Sequence, residues 1–198
     1  MFYWRLFLIC IILPCLLSAC HPMTRTPKYE YKLDQYSSHT YPANTKHQSL
    51  FINKPTALAG YNRTDMLYVD KPYALTAFAY HAWVDTPADM LLPLIMQSVQ
   101  AMQYFDATAS SPIVSSTSYR LDNQLLELHQ SFMQNPSVLY FSVKVTLTRV
   151  ADNQIIASTI LQQAVNCPKN TPYGGVIAAN QATKQFTAQL TKFIYKNL

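Results

Sequence analysis

Cys20 is the residue whose placement speaks most directly to chemistry. It closes the run Leu17-Ser18-Ala19-Cys20, which follows an apolar stretch at residues 6–17 and a short n-region at residues 1–5 with one cation, Arg5. A charged start, an apolar run and small residues before a cut are the layout of a secretory signal. The apolar run is about a dozen residues, whereas a membrane-spanning helix needs about 20. Pro14 inside the run also argues against an uncleaved anchor helix. An ordinary leader followed by an incidental cysteine is the blander reading of the same residues.

The order Leu-Ser-Ala-Cys resembles the lipobox of bacterial lipoproteins. The resemblance implies a diacylglyceryl group on the Cys20 thiol, cleavage before Cys20 and acylation of the new amino terminus. Several acyl chains hold a protein on a membrane almost permanently, at about 0.8 kcal/mol per buried CH₂. In that class an aspartate after the cysteine retains the protein in the inner membrane. Here the residue is His21, which points to the outer membrane, facing the periplasm.

Other candidate chemistry is sparse. His39, His47, His81 and His129 are widely spaced, whereas metal ligands usually come in local pairs. His81 and His129 fall on expected strands and could meet in space. Asp85 and Asp89 flank a helix start, where carboxylates favour the helix dipole over acid–base work. The chain has no Gly-rich phosphate loop and no Gly-x-Ser-x-Gly elbow. No catalytic residue, metal ligand or cofactor is therefore assigned. Tyr61, Tyr68 and Trp83 are the candidates for partner or lipid contact. Trp83 reads first as a core anchor where strand meets helix. Tyr61, Tyr68, Tyr73, Phe78 and Tyr80 form an aromatic group that either packs or lines an apolar groove for acyl chains.

The composition narrows the class. Fifteen Lys and Arg face ten Asp and Glu, a net charge of +5, and loss of Arg5 with the leader lowers it by one. The basic residues are scattered singly, which argues against a nucleic-acid face. Of four cysteines, Cys10 and Cys15 leave with the leader and Cys20 is the acylation site, so Cys167 stands alone and has no intrachain partner. A chain with three glycines and 14 tyrosines suits a regular domain rich in secondary structure.

Those residues need elements to hold them. Residues 1–19 read as the lipoprotein signal, 20–28 as the acylated tether and 29–198 as one domain. Strands are expected at residues 29–33, 49–52, 66–69 and 75–83, with a connection at 55–62. Thr86-Pro87-Ala88-Asp89 is a strong helix start, and the helix should run to about Tyr104 with a kink at Pro93. Leu91, Leu92, Ile95, Val99 and Met102 form its apolar stripe. Leu126, Leu128 and Phe132 mark a strand ended by Asn135-Pro136. Leu139, Phe141, Val143, Val145 and Leu147 alternate with polar residues in the clearest half-buried strand. Asp152-Asn153 turns into a return strand at 155–165. Thr171-Pro172 opens a last helix with Ile177, Ala178, Ala182, Phe186, Leu190, Phe193 and Ile194 on one side. The fold class is α+β: a mostly antiparallel sheet against two amphipathic helices in a single two-layer domain.

The run from Ser49 to the end resembles the ABC-type transport auxiliary lipoproteins, the PqiC-like family. The stretches that carry it are Pro55-Thr56-Ala57-Leu58-Ala59-Gly60-Tyr61, Asp65-Met66-Leu67-Tyr68-Val69 and Trp83-Val84-Asp85-Thr86-Pro87-Ala88-Asp89-Met90-Leu91. Tyr119-Arg120-Leu121-Asp122 and Tyr173-Gly174-Gly175-Val176-Ile177-Ala178-Ala179-Asn180-Gln181-Ala182 follow. Arg63 departs from the small residue expected of relatives. The resemblance implies a non-enzymatic outer-membrane partner of an MCE-type system. In such a system an inner-membrane ABC transporter drives lipids through a periplasmic MCE protein, which this subunit docks. It also allows a ring-forming homo-oligomer, since MCE proteins are ring-shaped. Two alternatives stay open beside it: a periplasmic carrier holding acyl chains in its own cavity, and a tethered hydrolase, which would need nucleophile, base and acid in mutual reach.

Overall fold

The computed structural model describes residues 28–42, 48–111 and 116–198. The leader, Cys20, His21 and His47 lie outside the described residues. Among the described residues nine strands form one sheet. They are β1 (Tyr29–Tyr31), β2 (Ser49–Ile52), β3 (Thr56–Ala57), β4 (Asp65–Val69), β5 (Thr76–Trp83), β6 (Ala107–Ser110), β7 (Tyr119–Ser131), β8 (Val138–Arg149) and β9 (Gln154–Asn166). Helix α1 (Pro87–Ala101) follows β5, and α2 (Pro172–Asn197) ends the chain.

β7 is the spine of the sheet. One edge pairs antiparallel with β8, which in turn pairs antiparallel with β9. The other edge takes three short strands in succession, all parallel: β2 at residues 119–121, β3 at 124–125 and β4 at 130–131. β5 pairs antiparallel with β4, β1 adds parallel to β5, and β6 adds parallel to β2. The sheet is therefore mixed, with the long ladders antiparallel and the short pieces docked parallel. A register shift between Leu125 and Glu127 explains why the alternation around Leu126 misleads. Leu121, Leu125 and Leu128 are the buried leucines, while Leu126 is half-buried.

Both helices lie on one face. Leu91, Ile95 and Val99 of α1, and Ala178, Ala182, Phe186, Leu190 and Ile194 of α2, close over Leu139, Phe141, Val143, Val145 and Leu147 of β8. Phe141 meets Phe186 edge-on at 5.4 Å. α1 starts as its sequence demands: the Thr86 hydroxyl accepts from the Asp89 N–H at 3.3 Å, with Pro87 in the first turn. The helix continues through Pro93, which faces solvent, and stops at Ala101 rather than Tyr104. Gln103 sits just past the cap at φ 52°, the left-handed geometry that ends helices. In α2, Thr171 caps Gly174 at 3.1 Å. Ile177 is exposed, against its expected place on the apolar side; Val176 and Ala179 take the core instead. The polar residues 32–42 strap across the two helices. Ser98 donates to the Ser37 carbonyl at 2.7 Å, Thr187 accepts from the Ser37 N–H at 2.9 Å, and Asn180 accepts from the Asp34 N–H at 2.7 Å.

Candidate docking surface

A line of aromatic rings crosses the sheet at the end where β7 passes into β8. Parallel pairing sets Tyr29 beside His81 and Tyr31 beside Trp83. A strand turns alternate side chains to one face, so Tyr29 and Tyr31 flank the same imidazole, at 5.4 and 5.8 Å. The Tyr31 hydroxyl lies 3.1 Å from His81 Nδ1. From His81 the line passes to Phe78 at 6.0 Å, then to Tyr68 at 4.5 Å and Phe132 at 5.9 Å. Tyr173, in the first turn of α2, closes on Tyr31 at 5.9 Å. Between Tyr31, Tyr173, Ile177 and Asn180 runs a groove of about 550 Å³. Burial raises the Tyr31 hydroxyl above the ordinary phenol range, with Tyr29 and Tyr173 adding to it.

Beyond this line the β4–β5 turn projects. Residues 71–74 close with the Ala74 N–H on the Lys71 carbonyl at 3.3 Å. Pro72 takes the second position and Tyr73, at φ 65°, the third. Glycine normally fills that third position. Here a tyrosine does, fully exposed.

A second cluster lies across β7 and β8. The Tyr61 hydroxyl is 3.3 Å from His129 Nδ1, Glu127 is 3.5 Å from the same nitrogen, and Tyr140 packs against the ring at 5.7 Å. Burial pushes Tyr61 up to about 12, aided by the Glu127 carboxylate. Burial also pulls His129 below the usual imidazole range, and Glu127 opposes this. The phenol and the carboxylate thus both face one imidazole nitrogen, joining Tyr61 of the β3–β4 connection to β7. The partners of Nδ1 are Tyr31 for His81, and Tyr61 and Glu127 for His129. Among the described residues no group of three His, Cys, Asp or Glu side chains is arranged around a metal position.

The aromatic group read from the sequence is thus divided. Tyr68 and Phe78 touch, Tyr61 belongs with His129, Tyr73 stands on the turn, and Tyr80 is exposed. Trp83 is 4 % exposed and anchors the core beneath the strand end. His81 and His129 sit in separate ring clusters. Sequence reading passed over Tyr29, Tyr31, Phe132 and Tyr173. The Tyr-x-Tyr spacing at residues 29–31 was the available signal for the first two. For Tyr173 and Phe132 the pairing is tertiary and leaves no local trace. Asp85 accepts from the Thr86 N–H at 2.7 Å, and Asp89 pairs with Lys54 at 2.7 Å, so both carboxylates serve the helix start. Cys167 is free and buried, and burial raises its thiol above the usual range.

The sequence profile described as ABC-type transport auxiliary lipoprotein component matches residues 31–191. The chain belongs to that family. It is thus an auxiliary lipoprotein component of ABC-type transport, and the resemblance seen in the sequence holds. Among solved structures it is similar to a DUF330-family protein from Xanthomonas campestris, with 16% identity and a TM-score of 0.76 over 84% of this chain and 94% of that one. A second, uncharacterized protein gives 12% identity and 0.69 over 85% and 99%. A hypothetical protein from Chlamydia trachomatis gives 10% and 0.51 over 77% and 100%. At these identities the likeness is one of fold. No curated protein matches by sequence. No helix among the described residues is long and apolar enough to cross a membrane.

Proposed function

We propose that this family member is the outer-membrane subunit of an MCE-type transport system, held by acyl chains on Cys20 and docking the periplasmic MCE protein that carries lipids or other hydrophobic molecules. Residues 1–19 are removed, residues 20–28 tether, and residues 29–198 dock without turning over a substrate. The observation that carries this reading is the family assignment over residues 31–191, behind a cysteine set in Leu-Ser-Ala-Cys and followed by His21. A lipid anchor, a short tether and a compact domain are the parts a docking subunit needs; Tyr61 remains a candidate partner contact and Tyr68 a candidate lipid contact. The carrier reading fits less well. Among the described residues the space inside the core beneath Trp83, bounded by Met66, Leu128 and Gly175, is about 10 Å³, room for one water, and the larger space of about 550 Å³ beside Tyr31 and Tyr173 is an open groove on the surface.

Cross-linking in intact cells, followed by affinity purification and mass spectrometry, tests docking. Capture of an MCE protein by the wild type, reduced in Cys20→Ser, is the expected result. An abundant outer-membrane protein that captures no transporter subunit would overturn it.

A further inference from the structure

We propose that the end of the domain formed by the β4–β5 turn and the β7–β8 loop rests in the headgroup region of the membrane that holds the anchor. This rests on acylation of Cys20 in the reading above. Three loops meet at this end. Val69 pairs with Ser131, and the Phe132 N–H donates to the Val69 carbonyl at 2.7 Å, so the turn at residues 70–75 and the loop at 132–137 leave the sheet together. Asn170 binds Asn135 and the Ser137 N–H, at 2.9 and 2.7 Å, and brings the loop at 167–171 alongside. Tyr73, Leu75 and Met133 are the exposed apolar tips. Tyr68, Phe78 and Phe132 pack behind them as one aromatic base. Lys71 and Lys169 are exposed at the same end.

Amphipathic rings with cations beside them suit a bilayer interface, where the ring is buried and the hydroxyl stays wet. Tyr73 adds an observation that packing does not explain. It occupies a left-handed turn position at φ 65° with no side chain covering it. Backbone strain of that kind persists where the projecting side chain has a use.

The occupant is fixed by the anchor. Eight residues, and so nine Cα–Cα steps, separate Cys20 from Tyr29, a covalent reach of at most ~32 Å. Tyr29 pairs with His81, five residues along β5 from Thr76, which puts it ~17 Å from this end. The tether therefore spans the distance with slack. It would also reach the opposite end, but there the exposed aliphatic Val150 and Ile155 flank a polar β8–β9 turn of Ala151, Asp152, Asn153 and Gln154, with Arg149 bonded to Asp152 and Gln154 and no aromatic ring among these residues. A bilayer interface selects the aromatic end.

The test places an environment-sensitive fluorophore on Tyr73→Cys or on Ala151→Cys in the acylated full chain. The chain is reconstituted in phosphatidylethanolamine–phosphatidylglycerol vesicles containing nitroxide lipid. Mass spectrometry of the amino-terminal peptide first establishes acylation. Quenching several-fold stronger at position 73 than at 151 is the expected result. Equal quenching, or stronger quenching at 151, overturns the proposal while leaving docking of the MCE protein intact. A second measurement uses soluble Cys20→Ser protein with the same vesicles. Tyr73→Ser with Met133→Ser should lower vesicle co-sedimentation several-fold at an unchanged unfolding midpoint. Unchanged co-sedimentation, or photocross-linking from position 73 to a protein and not to lipid, overturns it as well.

Discussion

Gly174 and Gly175 show how much a single residue can settle here. A Cβ on Gly174 would fall on the Lys169 carbonyl oxygen, and one on Gly175 would fall on the buried Gln130 amide. Gln130 donates to Ser137 at 2.8 Å and to the Thr171 carbonyl at 3.2 Å, so it cannot swing aside freely. The neighbour of Gly174 is backbone and has no rotamer to give, so Gly174→Ala should destabilise the domain by about 1–3 kcal/mol, the usual range for overpacking. Gly60→Ala, with open space around it, should be neutral or slightly stabilising. Thermal unfolding of the two variants checks the pair; equal midpoints would contradict it. His129 carries a pH dependence. Burial lowers its affinity for a proton in the folded state, while the unfolded chain titrates near ~6.5. Its contribution is full above that value and is lost as pH falls towards the folded pKa, at no more than ~1.4 kcal/mol per unit. His129→Gln should flatten urea midpoints between pH 8 and 5 relative to wild type. An unchanged slope would place the sensitivity elsewhere.

Elements were legible where a local rule dominates. Thr86 and Thr171 announce both helices, and the alternation from Leu139 to Leu147 announces β8. β2 falls on its expected residues. β3 and β6 did not show, because two and four residues are too few for a period and exist only through pairing with β7 and β2. The docking surface was half legible for the same reason. Tyr68 stood out by residue type, but its neighbours Phe132 and His81 come from strands distant in sequence. β9 makes a further prediction. Among the described residues its ladder runs only to β8, leaving a 13-residue edge with Ile155 and Ile160 exposed. Long open edges invite pairing, and the ring-forming homo-oligomer that the family resemblance allows would form there. Ile160→Lys should shift the mass measured by light scattering towards the monomer without changing the unfolding midpoint; an unaltered assembly would exclude this edge.

On the scale of the whole molecule, β8 and α2 run the same way. β8 starts beside the aromatic end, and α2 starts at Thr171, bonded to Gln130. Near its end at Asn197, α2 places Tyr195 stacked on Tyr41 and edge-on to Tyr104. Twelve strand residues at ~3.3 Å and 26 helical residues at ~1.5 Å both come to ~40 Å. With the aromatic end on the membrane, the β8–β9 turn stands furthest from it. Photocross-linkers at Ala151 should capture the MCE protein, and those at Leu75 should not; the reverse pattern would invert the orientation.

Two rods of matched length, side by side, make the domain a strut. Whatever it grips is then held at a clearance set by the fold and not by the tether. Ten extra residues between Cys20 and Lys28 should leave capture of the transporter unchanged. A domain dangling from its anchor would instead lose its hold as the leash grows.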